Sequence, residues 1–294
     1  MRAGRSVERG NIGIIGIGLL GTALAQRLTA AGYQLIGYDP DSIALKRLQA
    51  LGGTPGASSD EVARTCNRIL FSLPGPEQVR DTVAEIEPHL QAGSVILDTT
   101  TGDPEAVEAN AERLAKLGIA YLDCEIGGSS KQVVEGEAIV ICGGDEGTFE
   151  ECFEVLAAIS PRVFRMGAAG TGTRMKLALN IAIGLHRAVL AEALSFAIAN
   201  GVDAAQALEI LKAGPGYSRA MDIKGRKMVE HDFVPEARLA QHLKDVGLIL
   251  KTGKATGAFL PLSHLHHELL SEAAQRGLGG EDNSAIIKIF EPAL

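Results

Sequence analysis

The chain has 294 residues, of which 46% are hydrophobic and 22% charged, with 35 glycines and a formal net charge of −8. That length supports one large domain or two medium ones with a substantial buried core, and the composition excludes the disordered and fibrous classes. Nucleic acid is not expected as a main partner, because neutralising phosphates takes clustered Lys and Arg and no such stripe is present. A local positive site for a small anion remains open.

The first ten residues, MRAGRSVERG, are polar and lack the apolar stretch of a signal peptide, so a cytoplasmic location is expected. From there β-rich runs alternate with helical ones. NIGIIGI (11–17), YQLIGYD (33–39), RILFSLP (68–74), SVILDTT (94–100), AYLDCEI (120–126) and EAIVICGG (137–144) read as strands. Several are continuous apolar runs of the kind a parallel sheet buries on both faces. LLGTALAQRLTAAG and DPEAVEANAERLAKLG read as helices, the second with Asp103 as N-cap, Pro104 in the first turn and Gly118 at its end. This alternation predicts an α/β fold, a doubly wound Rossmann sheet over residues 1–168.

Beyond residue 168 the periodicity is helical, in RMKLALNIAIGLHRAVLAEALSFAIANG, AAQALEILKAG, ARLAQHLKDVGLILKTGKATG and PLSHLHHELLSEAAQRG. An all-α domain is expected over 169–294, beginning with a long interdomain helix near Gly172. The most apolar stretch, 175–200, is interrupted by Lys176, His186, Arg187 and Glu192, so neither a membrane span nor a membrane partner is expected. Cys66, Cys124, Cys142 and Cys152 show no CxxC spacing and are expected to be reduced and partly buried.

Chemistry concentrates at a few places. GIGLLG sets Gly16, Gly18 and Gly21 in GxGxxG spacing, with Ile17, Leu19 and Leu20 between them. The hexapeptide is a weak signal alone, but here it follows a strand and opens a helix, the context of a dinucleotide turn. Gly16 permits the tight turn, Gly18 admits a pyrophosphate to the backbone, and Gly21 lets helix and strand pack closely. Asp39 ends the second strand, where a carboxylate accepts from the ribose hydroxyls and repels a 2′-phosphate. That favours NAD, with NADP as the alternative; a plainer reading has Asp39 only starting the turn DPDS. Lys176 and Asn180 stand four apart in an apolar segment and so share one helix face. A lysine desolvated in an apolar cleft loses proton affinity, whereas a solvated one near 10.4 is a poor base at neutral pH. The plainer reading is a lysine that snorkels to solvent. His264 and His267 are spaced to chelate, but only Glu268 lies nearby and on another face, so a solvated helix without metal is expected.

Seven blocks in order resemble the β-hydroxyacid dehydrogenase family, which includes 3-hydroxyisobutyrate dehydrogenase, tartronate semialdehyde reductase and 6-phosphogluconate dehydrogenase. They are NIGIIGIGLLG, FSLP, DTTTGDP, YLDCEIGGS, GTGTRMKLALN, HLKDVGLIL and GLGGEDNSAII. The resemblance implies that Leu73, Pro74, Thr100 and Lys244 join the glycine turn in holding the cofactor. It implies that Lys176 is the catalytic general acid/base, that Asn180 holds the substrate beside it, and that Gly127, Gly128 and Ser129 grip the substrate carboxylate. The reaction implied is hydride transfer between a short 3-hydroxy acid and its semialdehyde or keto acid, in a homodimer or homotetramer. Lys244 and Asp245 match the family's Lys-Asp pair, although the residues alone suggest a surface charge pair.

The sequence also departs from the family pattern. Gly127 stands for the usual serine, Ser129 for the second glycine, Glu125 for proline, and Ala237 for a phenylalanine seven residues before Lys244. Ser129, Ser130 or Gln132 is expected to supply the missing hydroxyl or amide. Some polyol-acid dehydrogenases of the family carry a similar Gly-Ser-Ser-x-Gln run, which makes a threonate-like acid a candidate. Two other readings are an imine reductase of the same superfamily, which usually replaces the lysine with Asp or Tyr, and a non-catalytic NAD-binding or assembly module, which is expected to lose it. Lys176 weighs against both.

Overall fold

The computed structural model describes residues 10–291, so the opening polar segment read above lies almost wholly outside the described residues. Two compact units divide the chain, Met1–Lys176 and Leu177–Leu294. The division falls inside a long helix, eight residues beyond the domain limit expected at 168.

The first unit is built on β1 (Asn11–Ile15), β2 (Gln34–Tyr38), β3 (Thr54–Pro55), β4 (Arg68–Phe71), β5 (Val95–Asp98), β6 (Ala120–Gly127), β7 (Ile139–Gly143) and β8 (Val163–Gly167). They form one sheet in the order β3-β2-β1-β4-β5-β6-β7-β8, parallel except where β7 runs antiparallel to β6. The order reverses at β1, which lies between β2 and β4, and ligands of open α/β sheets bind at the carboxyl end of such a switch point. Helices α1 (Leu19–Ala30), α2 (Ser42–Ala50), α3 (Ser59–Thr65), α4 (Pro76–Ile86), α5 (Pro104–Ala115), α6 (Ser130–Val134) and α7 (Glu146–Ile159) connect the strands. Asp103 caps α5 by accepting from the Glu105 N–H, and Gly118 adopts a positive φ of 72° after it, as the sequence predicts.

Alternation along each strand sorts side chains onto two faces. Ile12, Ile14, Leu70, Leu97, Leu122 and Cys124 join one buried cluster, while Ile15, Ile69, Phe71, Ile96 and Tyr121 join another. By the same alternation Asp98, Asp123 and Glu125 lie on the Tyr121 side. All six expected strands form. The sequence reading named neither edge strand: β3 is only two exposed residues long, and β8 has Phe164, Arg165 and Met166 exposed and gives no buried alternation. The four cysteines are free and fully buried rather than partly so, three of them packed in the first cluster.

The second unit continues the long helix α8 (Thr171–Ala199) and adds α9 (Ala204–Ala213), α10 (Arg219–Glu230), α11 (Leu239–Thr256) and α12 (Pro261–Gln275). Its core gathers Leu190, Leu194, Val246, Ile249, Leu270 and Ile286. By length and composition α8 is apolar enough to cross a bilayer, with mean hydropathy 1.6, a test that core helices of soluble proteins also pass. Helix α10 lies outside the helical segments read from the sequence; half of RAMDIKGRKMVE is charged and a glycine interrupts its apolar positions. It is held by Met221, Gly225 and Met228, and a Cβ at Gly225 would come within 2.5 Å of Leu208 on α9. Asp282, fully buried, accepts from Lys224 Nζ, from the backbone N–H groups of Glu236, Ala237 and Ser284, and from the Ser284 hydroxyl.

Candidate active site

The turn after β1 has the shape of a phosphate cradle. Gly16 sits at φ +92°, where a Cβ would lie 2.3 Å from the Ser72 carbonyl oxygen after β4. A Cβ at Gly21 would lie 2.1 Å from the Gly16 oxygen, whereas one at Gly18 meets nothing within 4 Å. Two glycines therefore allow close packing and the third leaves an open approach. Gly18 is also the N-cap of α1 and has no side chain to occupy the first N–H groups, so Leu19, Leu20 and Gly21 begin the helix with donors suited to an anion. The Ile17 N–H donates to Asp39 Oδ2 at 2.7 Å, and the Asp41 N–H donates to Oδ1 at 2.8 Å. Asp39 thus ties the end of β2 to the glycine turn as well as starting its own turn, and its oxygens retain lone pairs for a ribose. Arg47, which sequence reasoning passed over, donates to the Ile17 carbonyl at 3.2 Å. Between β4 and β5 the Leu73 N–H donates to Thr100 Oγ1 at 3.0 Å, so these two expected cofactor residues lock each other's loops, with Pro74 following. The set fits a dinucleotide.

The lysine is placed by the start of α8. Asp123 accepts from the N–H groups of Gly170 at 2.9 Å and Thr173 at 2.8 Å, a cap delivered from β6 rather than from the helix's own N-terminus. A Cβ at Gly172 would lie 2.7 Å from the Gly143 N, so the glycine is what lets the helix reach the sheet. Lys176, one turn past Thr173, is buried, and its Nζ donates to the Ile126 carbonyl at 2.6 Å. Gly127, Gly128 and Ser129 follow immediately. The lysine does not snorkel.

Of Ser129, Ser130 and Gln132, the first and the third also accept hydrogen bonds within the turn. Ser129 Oγ accepts from the Gln132 N–H, and Gln132 Oε1 accepts from the Ser129 N–H at 2.9 Å, a capping box that opens α6. Both groups are engaged in holding the turn, and Gly128 at φ +150° makes its bend.

Beneath the lysine lies an acidic group that sequence reasoning mostly missed. Glu125 is fully buried and accepts from Thr101 Oγ1 at 2.9 Å and Thr173 Oγ1 at 3.1 Å. Burial pushes its carboxyl up to about 8, with the Lys176 ammonium the largest influence in the other direction. Burial also raises Asp98 to about 6, against hydrogen bonds from the Tyr121 hydroxyl and the Thr100 N–H. Asp123 is raised by burial too, opposed by the N–H groups it caps. Strict alternation in AYLDCEI would have placed Tyr121, Asp123 and Glu125 on one face; only the β5–β6 register, Asp98 opposite Asp123, adds the fourth member.

In the helical unit Asn180 Nδ2 donates to Asp245 Oδ2 at 3.1 Å, and Lys244 Nζ lies 3.3 Å from Asp245 Oδ1. Asp245 is buried, so the surface-pair reading of Lys244 and Asp245 is corrected: the aspartate joins the lysine to the asparagine. Among the described residues no group of three or more His, Cys, Asp and Glu is placed to hold a metal ion. His242 and His266 are the buried histidines, with rings 5.2 Å apart, and neither was singled out from the sequence.

The sequence profile of the NAD binding domain of 6-phosphogluconate dehydrogenase matches residues 11–167. That of the NAD-binding region of NADP-dependent 3-hydroxyisobutyrate dehydrogenase matches 170–290. The chain belongs to the β-hydroxyacid dehydrogenase family. It is an NAD(P)-dependent oxidoreductase of hydroxy acids. It is 31% identical to an L-threonate dehydrogenase of Cupriavidus necator, across 95% of this chain and 96% of that one. It is 30% identical to a 2-(hydroxymethyl)glutarate dehydrogenase of Eubacterium barkeri, across 95% and 94%. The crystal structure of a 3-hydroxyisobutyrate dehydrogenase from Salmonella typhimurium superposes with a TM-score of 0.89 at 27% identity, covering 96% of this dehydrogenase and 100% of that chain.

Proposed function

We propose that this dehydrogenase interconverts a short, polyhydroxylated 3-hydroxy acid and its carbonyl form, with Lys176 as general acid/base. The observation that carries the reading is the buried Lys176 amine, fixed on the Ile126 carbonyl directly before the Gly127–Gly128–Ser129 turn. The cofactor, when bound, supplies or accepts the hydride. Gly16, Gly18 and Gly21, with the first N–H groups of α1, hold its pyrophosphate, and Asp39 accepts from its ribose and favours NAD over NADP. Leu73, Pro74 and Thr100 shape the loops on which it lies.

Lys176 takes the hydroxyl proton in oxidation and returns it to the alkoxide in reduction. The Gly127–Gly128–Ser129 turn receives the substrate carboxylate, with the Ser129 N–H kept by Gln132 as part of the turn's own frame. Asn180 and Lys244, joined through Asp245, belong to the helical unit; substrate contact for Asn180 and cofactor contact for Lys244 are proposed from the motifs they match. The Gly128-Ser129-Ser130-Lys131-Gln132 run and the likeness to an L-threonate dehydrogenase support a threonate-like acid. A cytoplasmic homodimer or homotetramer, without nucleic-acid or membrane partners, completes the reading, and light scattering after size exclusion checks the subunit number.

The deciding experiment is a screen of 3-hydroxy acids and sugar acids with NAD and NADP in parallel, read as reduced cofactor at 340 nm. Substrate-dependent reduction of NAD that disappears in Lys176→Ala, with cofactor affinity intact, supports the reading. Full activity in that variant, or a preference for NADP, removes the role given to Lys176 or to Asp39 respectively.

A further inference from the structure

We propose that Glu125 is the positioning residue of the proton-transfer step, its ionised carboxyl holding the proton on the Lys176 amine. The geometry is local to the sheet unit. Thr173 and Lys176 lie on one face of α8, a turn apart. Thr173 Oγ1 donates to one oxygen of Glu125, while Lys176 Nζ donates to the carbonyl of the next residue along β6, Ile126. Thr101, entering after β5, donates to the other oxygen of Glu125. The carboxyl is thereby clamped from both sides under the first turn of the helix that carries the lysine.

Acidic groups act on it from the sheet, Asp98 from β5 and Tyr121 and Asp123 from β6, and Arg174 on α8 couples to Asp123. Lys176 is the cation that acts on it. Attraction between the two charges is mutual: Lys176 lowers the proton affinity of Glu125, so ionised Glu125 raises that of Lys176 by the same coupling. Burial disfavours the ammonium form. Because burial pushes its carboxyl up to about 8, Glu125 ionises over the alkaline range, and there it opposes that effect and extends the pH range over which the lysine remains an acid. In the reductive direction the bound cofactor would supply the hydride to the substrate carbonyl carbon, and Lys176 would give its ammonium proton to the oxygen. The alcohol, oxidised cofactor and lysine amine remain, and the amine regains its proton from solvent.

This inference rests on the proposed role of Lys176, and the test separates the two. The ligand-free protein is treated with cyanate across pH 6–11, and carbamylation of Lys176 is quantified by peptide mass spectrometry. In Glu125→Gln the midpoint for labelling is expected to fall by about one pH unit or more, roughly a tenfold loss of proton affinity. The alkaline limb of the reductive rate should move down with it. Glu125→Asp should recover part of the shift. Thr101→Val, which leaves the carboxyl in place without one donor, should move the midpoint the same way by less. An unchanged or higher midpoint in Glu125→Gln overturns the inference while leaving Lys176 as acid/base. Full activity in Lys176→Ala overturns the underlying reading instead.

Discussion

The ionisable groups that burial shifts most are acids in the sheet unit and bases in the helical unit. The sheet unit collects Asp98, Asp123 and Glu125 on one face, and burial raises the proton affinity of all three. The helical unit buries Arg187 and His266, and burial lowers theirs, His266 to about 4 and Arg187 to about 10. Gly184 makes room for the pair of histidines: a Cβ there would lie 2.4 Å from His242 Nε2 and 2.5 Å from His266 Cε1. Arg187 Nε and Nη2 and His266 Nε2 are buried without hydrogen-bond partners. Desolvation thus works against the charged form in both units, but a proton relieves the acids and aggravates the bases. Asp282 teaches the complement. It is as buried as any of them, yet Lys224 and the N–H groups around it hold its carboxyl below the usual range. Burial sets the penalty and partners decide whether it is offset.

The comparison can be tested in order of expected effect. Within the sheet unit, Lys176→Ala removes the largest influence opposing the raised affinity of Glu125, and should lower the substrate-dependent rate about 10²–10⁴-fold in steady-state kinetics. In the helical unit, Asp282→Ala takes one of two carboxylates from the buried Lys224, leaving Glu236, and strips acceptors from several N–H groups. Denaturant titration should show a loss of about 3–5 kcal/mol. Asp123→Ala, which uncaps the start of α8, should cost about 2–3 kcal/mol by the same measurement.

Titration should separate the units by sign. The folded pKa of His266 lies below its unfolded value near 6.5, so its contribution is fully present above pH 6.5 and is lost as pH falls toward about 4. That loss is at most about 3 kcal/mol, from 1.36 kcal/mol per pH unit. Glu125 and Asp98 have folded values above their unfolded ones. Stability is fully retained below about pH 4 and declines as pH rises through about 6 for Asp98 and about 8 for Glu125. Hydrogen exchange between pH 4.5 and 8, followed peptide by peptide, should show the sheet core gaining relative protection on acidification and the α11–α12 region losing it. The same direction in both units would break the comparison. The smallest effect is expected from Arg187→Met, in which an apolar chain of similar reach replaces a buried cation whose Nε and Nη2 have no hydrogen-bond partner. Stability should be unchanged or rise by about 1 kcal/mol, and the acid limb assigned to His266 should move up in pH, since the Arg187 charge contributes to lowering it.

What could be read directly from the residues were the features decided within a few positions of the chain. The strand–glycine turn–helix at 11–30, the Asp103 cap of α5, and the four-residue spacing of Lys176 and Asn180 on α8 all follow from local sterics and helical period. The same local rules gave no warning of β8, whose edge position leaves its side chains exposed, or of α10, whose buried face includes Lys224 and Gly225. Nor did they place Asp123 at the head of a helix that begins 48 residues later, or reveal that Ser129 and Gln132 cap α6.

The amino-acid sequence by itself determined the α/β-then-helical order, the dinucleotide turn and the identity of the amine. Those are properties of short segments, where conformation follows from neighbours along the backbone. Tertiary structure alone decided that Glu125, an apparent misfit in a glycine-rich stretch, would sit beneath that amine, and that His266 rather than His264 would be buried. Both outcomes depend on strand register and helix packing between residues far apart in the chain, and desolvation exists only once that packing has closed over them.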